Sequence, residues 1–288
     1  MEKIIDILNN DKVCISCELF PPKQGEELPN ALEIVRKISE VRPTHMSVTY
    51  GAGGSTVGYS ASIAAEIQAA GIPALAHLTC VNASEKNLTE VIKKFQAHDI
   101  NNILALRGDI PAGMEKNLDA NFLHASDLVK FLKTHGDFCV GGAAYPEGHP
   151  ESSNLENDIE NAKIKVDAGI DFLVTQMFFD NTILYNYMFR LLKAGVNVPV
   201  VPGIMPITNA KQIIRICQLS GTKLPPNFRA MVEKFADKPE SLKQAGIAYA
   251  TGQIIDLISN GFNNIHIYTM NKPEVIGGIM DNLSEIVK

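Results

Sequence analysis

Five short apolar runs in this chain close on residues that can do chemistry: Glu18 in SCELFPPK, Thr49-Tyr50-Gly51-Ala52, His77-Leu78-Thr79, Arg107-Gly108-Asp109, and Tyr145 in AAYPEGHPE. Glu18 stands beside Leu19, Phe20 and two prolines. Apolar surroundings disfavour the charged form of a carboxyl, and a carboxyl that stays protonated near neutral pH can act as a general acid. A structural carboxylate paired with Lys or Arg is the alternative that residue type leaves open. Arg107 and Asp109 flank a glycine that lets a ligand approach closely. Arg can donate to an anionic ring or a phosphate, and Asp can stabilise a cation developing in a substrate. A surface ion pair uses the same two residue types.

The stretch from Tyr50 to Thr56 runs from a strand pattern into a helix pattern, where backbone amides can meet a phosphate. It is not G-x-G-x-x-G, since the sixth position is Thr56, and His77 rather than an acid closes the following strand. Two prolines stiffen the Tyr145 to Pro150 loop around His149. Asp158, Asn161 and Lys165 follow at spacings of three and four, hence on one helix face. Such a row suits a ribose and a pyrophosphate, and equally a solvated surface. Gln176 ends the sixth apolar run and offers an amide to a heterocycle edge, and Gln212 lies about two turns beyond the seventh. Cys14 and Cys17 form a C-x-x-C, but residues three apart on a strand face opposite sides and no second cysteine pair lies nearby, so no metal site is expected.

These residues need elements to hold them. Strand-like runs fall at 13–19, 45–50, 74–79, 102–107, 138–145, 171–176, 198–202 and 263–268, with helical patterns at 30–40, 56–70, 84–98, 123–134, 154–168, 180–193, 209–219 and 273–286. Regular alternation of buried strands with amphipathic helices predicts parallel strands with crossover helices, and eight such units close as a (β/α)8 TIM barrel. Chemistry at the C-terminal end of successive strands is what that α/β fold presents. The segment 220–260 has no strand of its own and is expected to add an extra helix to the last βα unit of a single domain spanning 1–288.

Composition narrows the function. A formal net charge of -6 argues against a nucleic-acid partner bound through a broad basic face. No apolar stretch approaches the ~18 residues of a membrane span, and the N-terminus lacks the basic flank and apolar core of a signal peptide, so a cytoplasmic protein is expected. Five scattered cysteines suit reduced thiols. Strand ends poor in metal ligands point to an organic cofactor. None of them carries the Lys that Schiff-base chemistry needs, which disfavours an aldolase. Another non-redox barrel enzyme and a non-enzymatic ligand-binding subunit are the other rival readings.

Taken together, CELFPPK, SVTYGAGG, AHLTC, ILALRGD, ASDLV, AAYPEGHPE, KVDAGIDFLVTQMFFD, VPGIMPITN and HIYTMNKPE, in that order between residues 17 and 274, resemble the methylenetetrahydrofolate reductase family. The resemblance implies FAD held at the strand ends and NADH or NADPH as hydride donor, or electrons from a partner subunit or ferredoxin. It implies that Glu18 is the general acid and that Asp109 meets the pterin. Flavin contacts are implied for Tyr50, Ala52, His77, Arg107, Gly108, Asp109 and Ala125 on the early strands. On the later ones they are implied for Tyr145, His149, Asp158, Asn161 and Lys165. Thr49 is implied to meet the nicotinamide donor, and Gln176, Gln212 and Lys272 the folate substrate. Ile164 and Ile216 depart from relatives that carry Arg and an aromatic there. A homo-oligomer is expected, without the C-terminal domain through which S-adenosylmethionine inhibits animal relatives.

Overall fold

The computed structural model describes residues 1–22, 24–50, 57–110 and 122–288. In chain order the elements are α1 (Ile4–Leu8), β1 (Cys14–Leu19), α2 (Leu28–Ser39), β2 (Met46–Val48), α3 (Val57–Ala69), β3 (Ala74–Thr79), α4 (Glu85–Ala97), β4 (Asn102–Leu106), α5 (Ala125–His135) and β5 (Cys139–Ala144). There follow α6 (Leu155–Asp167), β6 (Phe172–Thr175), α7 (Asn181–Lys193), β7 (Val200–Val201), β8 (Gly203–Ile204), α8 (Ala210–Ser220), α9 (Pro226–Lys234), α10 (Pro239–Ser259), β9 (Asn264–Tyr268) and α11 (Pro273–Leu283).

All strand pairings are parallel, in the order β7-β6-β5-β4-β3-β2-β1-β9-β8. The expected seventh strand is split, and Pro202 is the reason. Proline has no N–H to give to a ladder, so β7 pairs with β6 while β8 pairs with β9. The Pro202 carbonyl still accepts from His266 N at 2.9 Å. Nine strands thus occupy eight positions, and chain continuity across Pro202 closes the barrel.

Alternation along each strand sorts residues between two cores. On β1, Cys17 and Leu19 face outward into the helix-covered core with Met46, Val48, Ala76 and Ile267. Inside the barrel lie Leu75, Leu104, Cys139, Phe172, Val174 and Val201, and α1 adds Ile4 and Leu8 to that cluster. α1 closes the N-terminal end, held by Asn102, whose Oδ1 accepts from Ile4 N at 2.8 Å and whose Nδ2 donates to Glu2 O at 3.2 Å. The five cysteines are free thiols, and burial pushes Cys17 far above the ordinary thiol range.

Residues 220–260 carry the expected long helix, α10, and also the shorter α9, whose Phe228 and Val232 are one turn apart and buried together with Phe179, Ile207 and Leu242. α10 lies so close to the barrel that a Cβ on Gly246 would stand 1.8 Å from Ile207 O. Among the described residues no helix is long and apolar enough to cross a membrane.

Candidate active site

The C-terminal strand ends surround a cavity of about 1340 Å³. It gathers Glu18 from β1, Thr49 and Tyr50 beyond β2, His77 from β3, Arg107, Gly108 and Asp109 beyond β4, and Ala125 at the start of α5. Tyr145 and His149 reach it from the loop after β5, and Asp158, Asn161 and Lys165 from α6. Gln176 and Gln212 complete the wall, and Ile164 and Ile216 line it too. Ala52 lies outside the described residues. Lys272 is not among the lining residues, and its Nζ donates to Thr208 Oγ1 at 2.6 Å in the segment leading to α8.

Glu18 is buried on the floor of this cavity, 7% exposed. The parallel register sets it beside Ser47 on one side and Tyr268 on the other. Its Oε2 is 3.6 Å from His77 Nε2 and 3.8 Å from His266 Nε2, and among the described residues no Lys or Arg pairs with it. The alternative of a structural carboxylate bridged to a fixed cation finds no such cation among the described residues. Burial pushes His77 down to about 4, with Glu18 opposing that shift, so the ring is neutral near pH 7. Its Nε2 is buried without a hydrogen-bond partner among the described residues. On His266, Nδ1 lies 2.8 Å from Ser16 Oγ, which itself donates to Ile265 O at 3.1 Å. With the serine proton spent there, Nδ1 is the donor of that pair, and Nε2 lies 3.4 Å from Ser47 Oγ. Tyr268 donates to Thr175 O at 2.6 Å. Burial, and then Glu18, raise its phenol well above the ordinary value.

The rim is built from loops held in place by side chains. Gly108 has φ +87°, and a Cβ there would stand 2.9 Å from both Thr79 Cβ and Val81 Cγ1. Asp158, on the first turn of α6, accepts from His149 N at 2.6 Å and from Ser152 Oγ at 3.0 Å. The expected row of three on α6 thus divides its labour: Asp158 fastens the loop, Asn161 is exposed, and Lys165 donates to Ala143 O. Burial pushes the Lys165 ammonium down to about 8 against the pull of Asp158. Glu151 N donates to His149 Nδ1 at 3.1 Å, which leaves Nε2 to carry the ring proton. Burial, and then Asp109, push the Tyr145 phenol up to about 12.

Sequence reasoning missed His266, Tyr268 and Glu151. The first two were detectable, since alternation along NNIHIY puts them on the same face as Asn264. Glu151 closes the AAYPEGHPE block, but nothing local says which loop it reaches.

The cavity exceeds the roughly 300–1,000 Å³ of a drug-sized ligand pocket, so it has room for a large cofactor beside a substrate. A buried, unpartnered His77 Nε2 and a rim too tight for any side chain at residue 108 suit a planar heterocycle with polar edges. Lys165 on α6, 6.0 Å from the centre of the Tyr145 ring, suits an anionic tail.

A family model described as methylenetetrahydrofolate reductase matches residues 3–284. The chain is 34% identical over 273 residues to the 5,10-methylenetetrahydrofolate reductase of Escherichia coli (strain K12), covering 94% of this chain and 91% of that one. It is also 34% identical over 300 residues to methylenetetrahydrofolate reductase (NADH) 1 of Arabidopsis thaliana, 99% of this chain and 51% of that protein. The chain thus spans about half the length of its plant relatives. A Clostridium thermocellum protein that binds two copies of 5-methyl-5,6,7,8-tetrahydrofolic acid shares the fold, with a TM-score of 0.67 and 15% identity over 98% of both chains.

Proposed function

The chain belongs to the methylenetetrahydrofolate reductase family, and from that premise we propose that it reduces 5,10-methylenetetrahydrofolate to 5-methyltetrahydrofolate, with FAD at the strand ends and NADH or NADPH as donor. The observation that carries this reading is Glu18, a buried carboxyl on the floor of a large cavity with two imidazoles and, among the described residues, no Lys or Arg paired with it. FAD, when bound, supplies hydride transfer.

The residues divide the remaining work. Glu18 donates a proton to the folate nitrogen that departs when the methylene bridge opens. Asp109, exposed at the rim, supplies negative charge that favours the cationic iminium left on the folate. Gln176 and Gln212 offer amides to the pterin edge. Gln176 Oε1 accepts from Met177 N at 3.0 Å, and Asn209 caps α8 by accepting from Gln212 N at 2.9 Å, so both positions are anchored. Lys165 and His149 offer donors to phosphate and ribose oxygens, and Thr49, on the cavity wall, is the contact assigned to the nicotinamide donor in this reading.

The test is an anaerobic absorbance series. Flavin absorbance that bleaches with NADH and returns with methylenetetrahydrofolate supports the reading. Bleaching with dithionite or reduced ferredoxin alone moves the donor to a partner protein. An absence of flavin after reconstitution with FAD defeats the reading. Glu18→Gln should keep flavin reduction by NADH and lose folate reduction by at least about a hundredfold, the usual size of a general-acid contribution. Equal loss of both half reactions would make Glu18 structural instead.

A further inference from the structure

Arg107 lines the cavity, yet most of its donors are already engaged. Nη1 and Nη2 donate to the two oxygens of Glu151 at 2.5 and 2.6 Å, and Nε donates to Gly108 O at 3.1 Å. Three of the five guanidinium N–H groups are thus taken by protein oxygens. Surface ion pairs in general contribute little, and the bidentate Arg–carboxylate pair is the exception because one geometry satisfies both groups. Here the Arg107 side chain is only 19% exposed against 54% for Glu151.

The pair joins two loops from neighbouring strands. Arg107 opens the loop after β4, which carries Gly108 and Asp109, and Glu151 lies in the loop after β5, which carries Tyr145 and His149. The second loop is also tied to α6 through Asp158, and the Glu151 amide sets the His149 tautomer. Glu151 is therefore the residue at which the two halves of the rim meet.

We propose that Glu151 is a positioning residue of the cofactor site: it clasps Arg107, and so holds the loops bearing Asp109 and His149 at the spacing a bound dinucleotide requires. This rests on the flavin reading above. Two physical effects predict opposite signs when the clasp is opened. Removing a negative charge beside a site for an anionic pyrophosphate should tighten binding by electrostatics alone. Releasing two loops that must be ordered again on binding should weaken it. The bidentate geometry favours the second effect.

The experiment is titration of apoprotein with FAD, followed by flavin fluorescence and visible circular dichroism, for the wild type, Glu151→Gln and Glu151→Asp. Glu151→Gln should bind FAD about tenfold more weakly, which is about 1.4 kcal/mol, and alter the dichroism of the bound flavin. Glu151→Asp, which keeps the charge on a shorter stem, should fall between the two. Dichroism reports flavin geometry, which a general loss of stability would not alter. Unchanged or tighter binding by Glu151→Gln overturns the clasp while leaving the flavin reading intact. Failure of the wild type to bind FAD overturns both.

Discussion

At residue 108 the backbone leaves no choice of side chain. Its φ of +87° lies in the left-handed region, and a Cβ there would meet Thr79 and Val81 at 2.9 Å, a contact that neither neighbour can relieve freely. Gly108→Ala should cost about 1–3 kcal/mol of stability and weaken FAD binding, because the strain falls on the turn between Arg107 and Asp109. Urea unfolding of the apoprotein together with a flavin titration checks both, and an unchanged unfolding midpoint would contradict the steric argument. Glu18 and His77 are legible in the sequence at this scale because a strand buried on both faces reads as an unbroken apolar run, against which a polar residue stands out. Glu151 is not legible, since its partner is 44 residues away and the pairing depends on two loops meeting.

Among the elements, α10 governs one wall of the site without lining it. It packs through Gly246 against Ile207, and two residues beyond Ile207 the side chain of Asn209 caps α8, the helix that presents Gln212 and Ile216 to the cavity. Gly246→Ala places a methyl group into a backbone carbonyl, a conflict resolved only by moving α10 or the 205–209 segment. The expected outcome is a loss of more than about 3 kcal/mol, in the tail reserved for buried steric conflict, and a KM for the folate raised more than that for NADH. Thermal unfolding and steady-state kinetics measure the two effects. The strands and crossover helices follow from periodicity, and their boundaries shift by at most three residues. The break at Pro202 and the separate α9 depend on tertiary partners: the β6 and β9 ladders for the first, and the Phe179 and Leu242 cluster for the second.

The whole molecule carries a pH dependence set by imidazoles buried in a neutral state. Burial pushes His45 from 6.5 down to about 3, with His266 adding to the shift, and both of its ring nitrogens lack hydrogen-bond partners among the described residues. His77 sits at about 4. In the unfolded chain both regain the ordinary value, so between pH 6.5 and their depressed values the unfolded state binds more protons. Stability is therefore highest above about 6.5 and declines as pH falls, by roughly 1.4 kcal/mol for each unit of depression until the folded-state value is reached. The urea midpoint should drop between pH 7 and pH 5, and His45→Leu, which removes two unsatisfied nitrogens, should flatten that slope. An identical slope in the variant would assign the effect to other groups.

α1 stoppers the barrel at the end opposite the chemistry, with Ile4 and Leu8 seated in the interior and Asn102 pinning the helix start. Among the described residues the vessel accordingly has its doorway at the rim. Whatever reaches Glu18 enters past the rim loops and leaves by the same route.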